Sequence, residues 1–218
     1  MKWLCVCLAM AVLPMLGAHK GAELPPIALY TQFSEQPPAD VIAAMREEVN
    51  SIMAPMDLRF QWLDLSSSDG KQTSVELAVI DFKGRCDVNG LSPRDINPGP
   101  LGWTHMSDGM ILPFAEVDCS AVRHFIQREL LESRAEGRAR ALGRALGRVL
   151  AHELYHIFAN TTHHGADGVG REYYNAHDLM SSNFQFEARE SMALINSKIH
   201  SNLTNAAVPD CDAVDRRD

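Results

Sequence analysis

Hydrophobic positions along the chain change period several times, and each change marks an element. A dense apolar run at 27–33, behind Pro25 and Pro26, has the make-up of a strand. Pro37, Pro38, Ala39 and Asp40 then introduce apolar residues at 41, 42, 45, 49, 52 and 53, the spacing of a helix facing a core, and Pro55 closes it. Leu58, Phe60 and Trp62, with Leu63 and Leu65 less regularly placed, predict a second strand, followed by a polar turn at 66–71. The run at 75–82 is dense enough for a central strand. Pro, Gly, Asn and Asp make 89–100 a loop. Beyond it, 101–106 and 110–117 are two further strands, and Ser107, Asp108 and Gly109 between them have the chemistry of a tight turn, so the two pair antiparallel with the first at the sheet edge. Asp118, Cys119 and Ser120 are placed to cap a helix from about Ala121 to Leu131, and a second helix spans about Ala139 to Asn160. Gly165, Gly168 and Gly170 exclude a long helix, 175–183 reads as irregular, 187–203 is helix-compatible, and 206–218 is a loose acidic tail. The order of strand, helix, four strands and two helices predicts a layered α/β (α+β) domain with a mixed sheet above the second of those helices.

A length of 218 residues suits one domain with at most a modest subdomain. The start of the chain has the form of a secretory signal at 1–18. Lys2 supplies the positive charge, 3–16 is almost wholly apolar, and Leu16, Gly17 and Ala18 offer small residues for cleavage. Pro14 and the short length argue against a stable membrane span. The expectation is a secreted or periplasmic protein with one domain over 19–218, its C-terminal part from about 164 forming a subdomain. Cys5 and Cys7 leave with the signal. Export permits disulfides, and Cys86 and Cys119, both beside predicted strands, are the expected pair, with Cys211 left over or competing for either. A formal charge of −8 speaks against a nucleic-acid partner. Arg140, Arg144 and Arg148 recur every four residues and read as a solvated helix stripe flanked by Glu132 and Glu136.

The chemistry concentrates in His152-Glu153-Leu154-Tyr155-His156. On a helix this spacing sets two imidazoles on one face, one turn apart, so that both reach one ion, while Glu153 stands beside them as a general base toward water. Apolar Leu150, Ala151, Leu154, Ile157 and Phe158 around the trio are foreign to a solvated face. A catalytic zinc takes three protein ligands. His163 is the leading third ligand and His164 the alternative, with Glu172, Glu187, Glu190 and His177 behind them. The ring not chosen is free to donate to the transition state, as are Tyr173 and Tyr174. Tyr155 points off the ligand face.

Residues 152–163 resemble the extended zinc signature of the metzincin metalloproteases, H-E-x-x-H-x-x-G-x-x-H, in a divergent, bacterial-type form. Ala159 stands where that pattern has glycine, and His163 lies one residue beyond the third histidine, with Thr162 at its place. The resemblance implies a zincin fold with a twisted mixed sheet, a backing helix, an antiparallel edge strand at 101–106 that pairs with an extended peptide, and a methionine turn at Met180 beneath the ligands. It implies one catalytic zinc ion and hydrolysis of peptide bonds, with Glu153 as the base and a peptide or protein as substrate. A zinc hydrolase of non-peptide amides and a non-catalytic zinc-containing binding module are the competing expectations.

Overall fold

The computed structural model describes residues 23–68, 71–92 and 99–207. The expected signal at 1–18, together with Cys5, Cys7 and Cys211, lies outside the described residues. Five strands, β1 (Ile27–Phe33), β2 (Phe60–Asp64), β3 (Leu77–Lys83), β4 (Gly102–Ser107) and β5 (Met110–Asp118), form one sheet in the order β2-β1-β3-β5-β4. The first four in that order are parallel. β4 is antiparallel to β5 and forms the edge. The expected turn between them has Asp108 at φ 51° and Gly109 at φ 77°, the paired positive angles of a two-residue type I′ hairpin.

One sheet face is apolar at every second residue. Ile27, Leu29, Ala78, Ile80, Phe82, Ala115 and Val117 are all buried there, against helices α1 (Ala39–Met53) and α4 (Arg138–Ala159). The two helices touch through glycine. A methyl group at Gly143 would sit 2.8 Å from the Ala44 methyl, and one at Gly147 would sit 2.7 Å from the Met45 carbonyl oxygen. Gly143→Ala is therefore expected to cost about 1–3 kcal/mol by overpacking. A thermal midpoint equal to or above that of the wild type, the outcome helix propensity alone would give, would refute so close an approach.

Three segments depart from the sequence expectations. The helix expected over about 121–131 is two pieces, α2 (Cys119–Phe125) and α3 (Gln127–Glu132), meeting at Ile126. The Asp118 carboxylate caps the first by accepting the backbone N–H of Ala121 at 2.8 Å. Within the supposedly irregular 175–183, a capping box of Asn175 and Asp178 folds one helical turn, α5 (Ala176–Met180). The expected helix over 187–203 breaks into α6 (Ala188–Ile195) and α7 (Lys198–Ala207). Cys86 and Cys119 form a disulfide that ties the chain after β3 to the start of α2.

The arginine stripe is also not a solvated face. Arg140 is exposed beside Glu47, but the Arg148 side chain is 1% exposed and ion-paired with Glu48 of α1 at 2.6 Å. Periodicity scores arginine as polar and cannot register a partner that folding brings to it from elsewhere in the chain.

Candidate metal centre

His152, Glu153 and His156 stand in the last two turns of α4 and are 7%, 4% and 8% exposed. Burial of three ionisable groups requires partners, and each has one. The Nδ1 of His156 donates to the Thr161 carbonyl oxygen at 2.7 Å, and the Nδ1 of His152 lies 2.8 Å from the Val169 carbonyl oxygen and 2.9 Å from the Tyr174 hydroxyl. With both Nδ1 atoms so engaged, the two Nε2 atoms face each other 3.0 Å apart. That is the tautomer and orientation in which a backbone carbonyl fixes an imidazole for a cation on its other nitrogen.

The helix exit brings in the third ring. Ala159 stays helical, and Asn160 takes the left-handed turn at φ 48°, a conformation its side chain tolerates. The chain then returns so that His164 lies with its ring centroid 5.2 Å from that of His152 and 4.8 Å from that of His156. Ligand atoms of His152, His156 and His164 all fall within 4.8 Å of one another. His163, favoured by spacing, is not in this cluster. It is exposed, and its backbone N–H donates to Thr161 Oγ1 at 3.1 Å. Adjacent residues in extended chain point to opposite sides, so only one of the pair turns inward. Of the other expected alternatives, Glu172 borders the same cleft but is not in the cluster, and the rest lie elsewhere. His177 and Glu187 are exposed, and Glu190 is buried beneath Gly165 and Gly170.

Glu153 is aimed at the edge strand. Its Oε2 accepts the Thr104 hydroxyl at 2.8 Å, and a methyl group at Gly102 would stand 3.0 Å from its Oε1. Burial pushes its pKa up to about 7, against the Thr104 hydrogen bond, which pulls it down. Burial likewise holds the His152 pKa down at about 3, and that of His156 below the usual histidine range. The donor set is thus three imidazoles, the two buried ones neutral and converging, which suits a zinc-type cation. A cleft of about 280 Å³, bordered by Thr104, Met106, Ile111, Thr162 and Glu172, opens directly on the three rings and Glu153. A second hollow of about 480 Å³ adjoins it past Gly102, walled by Leu101, Phe125, Val149 and Tyr173.

No protein-family profile matches the sequence, and neither does any curated protein. Among solved structures the chain is similar to a zinc-dependent peptidase from Methanocorpusculum labreanum (strain Z), at 13% identity and a TM-score of 0.50. The match covers 77% of this chain and 99% of that one. At that identity it is a likeness of fold alone, the α/β architecture of mixed sheet and helices.

Several residues have roles that spacing could not assign. Thr104 is invisible as a partner until β4 is laid along α4. Tyr174, a candidate donor to the cleft, instead has its hydroxyl against His152 Nδ1 and the Val169 carbonyl oxygen. Tyr173 is 74% exposed, and Tyr155 is buried against Phe186, with ring centroids 5.5 Å apart. Met180 ends α5 half-buried against the core. Tyr174→Phe removes one partner of the His152 ring and is expected to weaken zinc binding about tenfold. Chelator competition measures this, and unchanged affinity would mean that the Val169 carbonyl alone orients the ring.

Proposed function

We propose that the chain is a zinc-dependent peptidase built like a metzincin, with His152, His156 and His164 as the metal ligands and Glu153 as the general base. The observation that carries this reading is a buried carboxylate beside three converging imidazoles at the mouth of a cleft roofed by an antiparallel edge strand. A zinc ion bound there would acidify a water and polarise a carbonyl. Glu153 is held by Thr104 in the lining of the same cleft as the His152 and His156 rings, where its carboxylate can take a proton from water and pass it to a leaving amine. Among the described residues, the backbone groups of β4 on the side away from β5 are those of a free sheet edge, which an extended peptide can extend by one strand.

A purely structural zinc would need a closed fourth ligand. Among the described residues the cluster holds three histidines, and Glu153 is engaged by Thr104, which favours an open catalytic site over a binding module. Met180, at the end of α5 under α4, fits the methionine turn of the metzincin pattern as a packing residue. The Cys86–Cys119 disulfide supports a secreted or periplasmic location. Among the described residues no helix is long and apolar enough to cross a membrane.

Zinc-loaded and metal-stripped chains assayed on a library of quenched fluorescent peptides, beside simple non-peptide amides, test the reading. Peptide cleavage that is lost on stripping and restored by zinc is the expected result. Cleavage of the small amides alone would move the assignment to a non-peptide hydrolase, and no zinc-dependent cleavage of either would refute catalysis.

A further inference from the structure

Arg148 lies one helical turn before His152 on α4, and its side chain is 1% exposed. Its Nε donates to Glu48 Oε1 at 2.6 Å, its Nη1 to the Asp178 carbonyl oxygen at 2.9 Å, and its Nη2 to the Ser181 carbonyl oxygen at 2.9 Å. The guanidinium fork therefore grips the end of α5 from both sides. The same group stacks on Phe184, its Cζ 5.1 Å from the ring centroid. Phe184 meets the Tyr174 ring edge-on at 5.5 Å, and the Tyr174 hydroxyl stands 2.9 Å from His152 Nδ1. A second tie runs along the chain. The Asp178 carboxylate accepts the backbone N–H of Asn175, next to Tyr174, at 2.9 Å and Nη1 of Arg171 at 3.0 Å.

Buried ion pairs are weak devices for stability alone, because apolar residues of equal volume often serve as well. What they supply is fixed geometry, and beyond Glu48 the partners of Arg148 named above, Asp178, Ser181 and Phe184, all lie on the segment that follows Tyr174. We infer that Arg148 is a positioning residue for the metal centre: through Phe184 and the α5 turn it sets Tyr174 against His152 and so holds that imidazole in register for the ion. The inference rests on the reading of His152 as a zinc ligand.

The test uses the full chain. The double variant Arg148→Met/Glu48→Gln removes both charges, so that no buried carboxylate is left unpaired, and Phe184→Leu interrupts the path while leaving the ion pair intact. Zinc affinity by chelator competition is expected to fall about tenfold or more in the first and roughly fivefold in the second, the scale of lost outer-shell support. The visible bands of the cobalt-substituted protein should shift in both, a change that a lowered thermal midpoint alone would not produce. Wild-type affinity and an unmoved cobalt spectrum in both variants, or in Phe184→Leu if the double variant fails to fold, overturn the inference. A wild-type chain that takes up no zinc overturns the metal-centre reading itself, and this inference with it.

Discussion

Glu153→Gln will keep the metal and lose the reaction. Glutamine has nearly the same shape, and it preserves the hydrogen bond that Thr104 donates to Oε2 at 2.8 Å. It cannot take up a proton. A positioned general base contributes about 10²–10⁴-fold to rate, so peptide hydrolysis should fall by on the order of a thousandfold. The three imidazoles, two of them oriented by the carbonyls of Thr161 and Val169 and by Tyr174, should still bind one equivalent of zinc. Two measurements on one sample, zinc stoichiometry and kcat, separate the possibilities. Wild-type turnover would show that another group is the base. Loss of zinc with the activity would show that the carboxylate belongs to the ligand set.

Much of the fold was legible because it depends on local pattern. β1 is the apolar run at 27–33, residue for residue, and the Asp108-Gly109 turn fixes the β4–β5 hairpin by backbone preference alone. Asp118 as helix cap and the Cys86–Cys119 pair were readable for the same reason: both depend on neighbours in sequence or on flanking strands. What the pattern missed depends on partners distant in sequence. Arg148 reads as one tooth of a polar stripe until Glu48, a hundred residues earlier, is folded against it. Glu153 reads as a base from its motif, but its partner Thr104 lies on a strand 49 residues away. α5 escapes the pattern for a different reason. A capping box of Asn175 and Asp178 nucleates it in a stretch with too few apolar residues to show a helical period.

The third metal ligand is where spacing and structure separate, and there the second large effect is expected. His164→Ala should weaken zinc binding far more than His163→Ala. Counting from Ala159, where the metzincin pattern has glycine, lands on Thr162 and makes the next residue, His163, the expected ligand, but α4 continues through Ala159 and makes its left-handed exit at Asn160. The longer helix shifts the return of the chain, and the His164 ring comes to rest 4.8 Å, centroid to centroid, from that of His156. His163 is left at the surface. Structural zinc sites gain roughly 10–16 kcal/mol from four ligands, so one ligand is worth about 3 kcal/mol, on the order of a hundredfold in affinity. His164→Ala should show that loss, with turnover falling alongside it, and His163→Ala should remain close to wild type on both counts. Chelator competition on the two variants side by side decides between them. The reverse result would mean that the loop from Thr161 to Gly165 rearranges around a bound ion to bring His163 inward, and the ligand set would then be the one the spacing favours.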